Sequence, residues 1–162
     1  MNNFKIKTMD TQVNTEKYLQ SILEKTYDAQ RGYANAAEVT ENVQLKRWFA
    51  QQGARRTQYA ASIAGEMKGM NEHPEFDGSF QGDVHRSWMN IKAALSSNKD
   101  ETILEECLRG ENAAVAEYSQ ILEHKNELPQ TIVSVLEAQK DEINATINQI
   151  KRLEDIADHL DD

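Results

Sequence analysis

The chain is poor in residues that interrupt or staple a backbone. Its single cysteine, Cys107, has no partner for an intramolecular disulfide, so cross-links are excluded as the source of stability. At a helix core position such a residue reads as a small hydrophobe, not as a reactive thiol. Two prolines and seven glycines among 162 residues leave long uninterrupted stretches, and Pro74, Gly78 and Gly82 fall in one segment. No run approaches the ~20 apolar residues of a membrane span, and the opening MNNFKIKTMD has no apolar run of signal-peptide length. No membrane partner and a cytoplasmic location are therefore expected. Basic residues are outnumbered 18 to 27, for a formal charge of −9 and a pI near 5.0. A surface of that sign repels phosphate backbones, which argues against nucleic acid as a partner.

What the chain does have is Ala, Gln, Glu, Lys and Leu, residues that lose little rotamer freedom in a helix. A chain of this length fits one all-α domain that buries roughly 70% of its unfolded surface. Residues 1–13 lack a period and read as an arm. From 14 to about 157 the apolar period predicts a four-helix bundle, and 158–162 form an acidic tail that opposes the helix dipole. Helix A, about Asn14 to Val39, buries Leu19, Ile22, Leu23, Thr26, Gln30, Tyr33 and Ala37, with Asp28 projecting almost opposite. Helix B, about Glu41 to Lys68, buries Leu45, Trp48, Phe49, Gln52, Arg56, Tyr59, Ile63 and Met67, and follows A so closely that the two must be antiparallel. A long crossover, about 69–100, contains a short extra helix from Asp83 to Ser96 whose apolar side is Val84, Trp88, Ile91 and Leu95. Asp100 suits the N-cap of helix C, about Glu101 to Lys125, with Leu104, Cys107, Leu108, Glu111, Val115, Tyr118 and Leu122 inside. Pro129 suits the first turn of helix D, with Ile132, Leu136, Gln139, Ile143, Thr146, Ile150 and Leu153 inside. One long crossover between two hairpins is ferritin-like connectivity; an up-and-down bundle with an inserted helix is the alternative.

The inner stripes carry one polar layer at mid-bundle: Thr26, Gln30, Gln52, Arg56, Glu111, Gln139 and Thr146. An isolated buried Glu or Arg costs several kcal/mol, so Arg56 and Glu111 are expected to pair while the amides and hydroxyls satisfy what remains. A dinuclear metal site instead needs several carboxylates and a Glu-x-x-His on each of two helices. None of the four histidines has a Glu three residues before it: Met70 precedes His73, Gly82 precedes His85, Ile121 precedes His124 and Ile156 precedes His159. Glu111 is the only, weak, candidate metal ligand; no metal, no cofactor and no catalytic residue is expected. Other constellations carry less. His85 with Asp83 and Arg86 reads as a solvated first turn, and Glu106, beside Glu105, points away from the helix C stripe. Gly78 and Gly82 are not followed by the Lys and Ser or Thr of a phosphate-cradling loop. Tyr33, Trp48, Phe49, Tyr59 and Tyr118 recur at helical spacing and read as core.

The segments GSFQGDVHRSW and LEECLRGENAAVAEY, with Gly32 and Tyr33 and the stretch from Glu137 to Leu153, give the chain a resemblance to an uncharacterised bacterial family of ferritin-like four-helix-bundle proteins. The residues that match its pattern are Gly78, Gly82, His85, Arg86, Trp88, Glu106, Cys107, Arg109, Gly110 and Glu111. The resemblance implies the bundle and a cytoplasmic setting, and no reaction. Many relatives have an acidic residue at Leu108, Asp at Asn112 and His-Asp at Ile147 and Asn148, so any metal held by those groups is lost here. The reading from sequence is a non-enzymatic bundle acting through its surface or through self-association, with a homo-oligomer as the partner in view. A divergent ferritin-like metal or redox protein and a small-ligand sensor using the central layer are the alternatives.

Overall fold

In a computed structural model, residues 2–74, 88, 94, 96 and 99–160 are described, with side chains for 14–74, 88, 94, 96 and 99–154. Among them are four long helices and no strand: α1 (Asn2–Val39), α2 (Val43–Gly69), α3 (Asp100–Leu122) and α4 (Gln130–Leu160). A single 3-10 turn, Lys125–Glu127, lies between α3 and α4.

The ends are set by local chemistry. Asn42 caps α2, its side chain accepting from the Gln44 and Leu45 amides at 3.0 and 3.1 Å, which moves the start from Glu41 to Val43. At the other end Asn71 takes the left-handed conformation (φ 61°), the Glu72 amide donates to the Met67 carbonyl and the Asn71 amide to that of Lys68. That pair of bonds is a Schellman closure, with Asn in the place glycine usually holds. Asp100 is the first residue of α3 and not its cap, because its carboxylate is turned to accept from the Thr40 hydroxyl at 2.7 Å. The carbonyl of Pro129 accepts the first amide bonds of α4, from Ile132 and Val133.

Two expectations are corrected. Residues 2–13 are the start of α1 and not an irregular arm. The sequence of 2–13 carries no apolar period, but it is free of Pro and Gly, and extending a formed helix through such residues adds a backbone bond for each residue fixed. Likewise α4 continues to Leu160, three residues past the expected end at Ala157. The expected helix from Asp83 to Ser96 lies mostly outside the described residues, as do Gly78, Gly82, His85 and Arg86.

Side-chain bridges fix the directions. Thr40 reaches Asp100 while Ser21 and Lys25 reach Glu117, so α1 and α3 are antiparallel. Trp48 reaches Gln149, Tyr59 reaches Glu142 and Thr131 reaches Glu66, so α2 and α4 are antiparallel as well. Since the three-residue turn after α1 makes α2 its antiparallel neighbour, α2 and α3 run the same way, and the connection between them must travel the length of the bundle. An up-and-down arrangement would have reversed α3. The core is two apolar clusters. One contains Leu19, Ile22, Ile63, Met67, Ile132 and Leu136, the other Tyr33, Phe49, Trp88, Leu104, Cys107 and Ile150. The polar layer lies between them.

Candidate functional site

Beside the Arg56–Glu111 pair, the other five expected layer residues are placed by their bonds and burial. Thr26, Gln52, Gln139 and Thr146 are buried, whereas Gln30 is only half-buried at the edge. The Thr26 hydroxyl donates to the Ile22 carbonyl at 2.7 Å. The Thr146 hydroxyl lies 3.0 Å from the Glu142 carbonyl and 3.4 Å from Gln52 Oε1. Gln139 accepts from the Tyr118 hydroxyl at 2.6 Å and donates to the Tyr59 carbonyl at 3.4 Å.

At the centre Arg56 Nη2 donates to Glu111 Oε2, with side-chain exposures of 3% and 0%. The guanidinium carbon also stands 5.2 Å from the Tyr59 ring centre. Burial pushes the Glu111 carboxyl above the usual carboxylate range, and Arg56 and Tyr33 pull it back only in part. Glu111 Oε1 and the Tyr33 hydroxyl are buried without a hydrogen bond in this conformation, yet they interact through space. Burial first, and then the Glu111 charge, lifts the Tyr33 phenol well above its usual range. Burial likewise pushes Tyr118 up to about 12, and burial with the Glu111 charge raises the Cys107 thiol. Phenols and thiol therefore stay protonated, and neither a thiolate nor a phenolate is on hand as a nucleophile.

Trp88 closes the α1–α3 seam beside this pair. Its indole is wedged between backbones: a Cβ on Gly32 would lie 2.5 Å from Trp88 Cε3, and one on Gly110 would lie 2.6 Å from Cε2. Only glycine admits the ring at both positions. The indole is 6% exposed and meets the Tyr33 ring edge-on at 5.2 Å. The space left between Arg56, Thr26, Tyr118 and Trp88 is a cavity of about 10 Å³, room for about one water and for no organic ligand.

Three features escaped the sequence reading. The tyrosines at 33, 59 and 118 border the layer: the Tyr118 hydroxyl donates to Gln139, the Tyr59 hydroxyl donates to Glu142, and the unbonded Tyr33 hydroxyl is buried near Glu111. Their recurrence on inner stripes is the available signal. Asp28, expected to face away, is 5% exposed and bonded to Arg31 at 2.6 Å. It lies one turn before Gly32, on the face that Trp88 covers, so α1 buries a second side that a single-stripe reading misses. Gly32 and Gly110 share one partner, Trp88, that the sequence pattern does not reveal. Of the remaining pattern residues, Glu106 and Arg109 form a partly exposed i,i+3 pair at 3.0 Å, and Cys107 is buried.

The donor set does not fit a dinuclear metal. Among the described residues Glu111 is the one carboxylate of the central layer and is bonded to a guanidinium, a positive charge where a dication would sit. Among the described residues no three of His, Cys, Asp and Glu converge. No described helix is long and apolar enough to cross a membrane.

No curated protein and no solved structure matches the chain. A family model, the domain of unknown function DUF2383, matches residues 14–124. That span holds Gly32, Arg56, Trp88, Gly110 and Glu111, and stops short of α4. With more than half of its length matched, the chain belongs to the DUF2383 family.

Proposed function

We propose that the protein is a non-enzymatic, cytoplasmic helical bundle of ferritin-like connectivity, one domain in which the polar centre serves structure and the surface serves function. The observation that carries this reading is that the central charges are consumed by each other. Arg56 is bonded to Glu111, Gln139 to Tyr118 and Tyr59, and Thr146 to Gln52. The parallel run of α2 and α3, with a connection spanning the bundle, supports ferritin-like topology over an up-and-down one. Trp88 belongs to that connection, and the deep burial of its indole against α1 and α3 supports packing of the connection on its own bundle.

In this role the Arg56–Glu111 pair selects one helix register, since a slipped or rotated helix would leave an uncompensated charge in the core. Action through the surface includes self-association. Metal analysis of protein purified without chelators tests the reading, together with oxygen consumption on added ferrous iron. Substoichiometric metal and no consumption are expected. Near-stoichiometric iron with oxygen consumption lost in Glu111→Ala would overturn it.

A further inference from the structure

The seam between α2 and α4 differs from the one that Trp88 closes. It opens into a groove of about 450 Å³, within the roughly 300–1,000 Å³ of small-molecule sites. Trp48 forms one side, Arg55 and Arg152 bring charge from α2 and α4, and Gln52 and Gln149 provide amides. We propose that this groove binds a small organic anion, a flat ring carrying a carboxylate or phosphate.

Charge is the first argument. Among the residues whose side chains are described, the lining contains two arginines and no carboxylate, in a chain with 27 acidic and 18 basic residues. Neither arginine forms an ion pair with a residue whose side chain is described. A guanidinium fork matches the oxygens of a carboxylate or phosphate two at a time, so two forks on facing helices suit one compact oxyanion group or two. The formal charge of −9 then limits the ligand's size. A long polyanion would have to cross an acidic surface, whereas a small anion meets only the local field.

Preorganisation is the second. The Trp48 indole is held on its inner side by Phe49 and Tyr33, at ring separations of 5.6 and 6.0 Å. Its Nε1–H donates across the seam to Gln149 Oε1 at 3.3 Å. A half-buried ring fixed this way offers a stacking surface with little entropy left to lose. Gln52 is 3% exposed and lines the groove; its Oε1 accepts from Thr146, which leaves its amide N–H groups as donors at the groove floor.

The proposal deepens the reading of a non-catalytic protein that works through its surface, and the two fail separately. Loss of groove binding says nothing of the Arg56–Glu111 centre, and iron oxidation at that centre says nothing of the groove. The experiment is calorimetric titration of the full chain at low salt with adenosine 5′-monophosphate and with indole-3-acetate, with adenosine and inorganic phosphate as controls. Saturable one-to-one binding is expected for at least one ring-bearing anion, and the preference between the two distinguishes phosphate from carboxylate ligands. Adenosine and phosphate alone should bind at least tenfold more weakly. Arg55→Gln with Arg152→Gln should weaken binding at least tenfold with an unchanged thermal midpoint. The bound probe should shift the Trp48 indole N–H resonance and leave that of Trp88 in place, which gives a readout independent of any variant. Absence of saturable binding by both probes, equal affinity in the double variant, or a shift confined to Trp88 would each overturn the proposal.

Discussion

The two tryptophans sit on opposite seams of one bundle and do opposite things. Trp88 is wedged between Gly32 and Gly110 on the α1–α3 side, where the remaining cavity is about 10 Å³. Trp48 stands half-buried on the α2–α4 side beside a groove of about 450 Å³ flanked by two arginines. The difference lies in what faces each ring. Glycines let an indole close onto backbone and exclude water, whereas glutamine and arginine side chains line the other seam and leave a polar slot. The sealed side shields a buried ion pair, and the open side has charge to offer a ligand.

Removing each ring should break the comparison most visibly. Trp88→Ala should cost about 3 to 5 kcal/mol, the range for emptying a large buried site, and the variant should sediment as the parent does if Trp88 packs on its own bundle. Trp48→Ala should cost about 1 to 2 kcal/mol, because its ring is only half-buried. Equal losses in chemical denaturation would erase the distinction between the seams. Gly110→Ala sharpens it further. An alanine in a helix ordinarily gains up to about 1 kcal/mol over glycine, but here the new Cβ would collide with the indole. A net loss of about 1 to 3 kcal/mol and red-shifted tryptophan emission are expected, and a stabilised variant with unchanged emission would show that the slot is loose.

The smallest effect concerns Glu72, just beyond the end of α2. Its carboxyl is 3% exposed with neither oxygen hydrogen-bonded, and burial, then the Glu16 charge, raises its pKa from 4.5 to about 7. A raised folded-state value means that the stability this group contributes is fully present below pH 4.5 and is lost as pH rises through about 7. Glu72→Gln should flatten that decline without changing stability at low pH. A parent curve level between pH 5 and 8 would contradict the assignment.

Most of the bundle was legible in the sequence because four amphipathic stripes and one Pro- and Gly-bearing crossover leave few alternatives. The polar layer was legible for the same reason: Arg56 and Glu111 interrupt stripes that are otherwise apolar or neutral. Residues 2–13 were not, since their sequence carries no apolar period to read. Asp28 was missed because a second covered face of α1 arises from the crossover, whose packing no local pattern encodes. The groove was invisible for a related reason. Arg55 and Arg152 are 97 positions apart, and only the antiparallel register of α2 and α4 brings them to one seam.

The central claim, that Arg56 and Glu111 form one structural unit, is tested most directly by a double-mutant cycle on chemical denaturation. Arg56→Met alone should destabilise by about 3 to 5 kcal/mol, because it strands the Glu111 carboxylate in the core. Combining it with Glu111→Gln should recover much of that loss, for a coupling of at least about 2 kcal/mol. Simple addition of the two single effects would contradict the account.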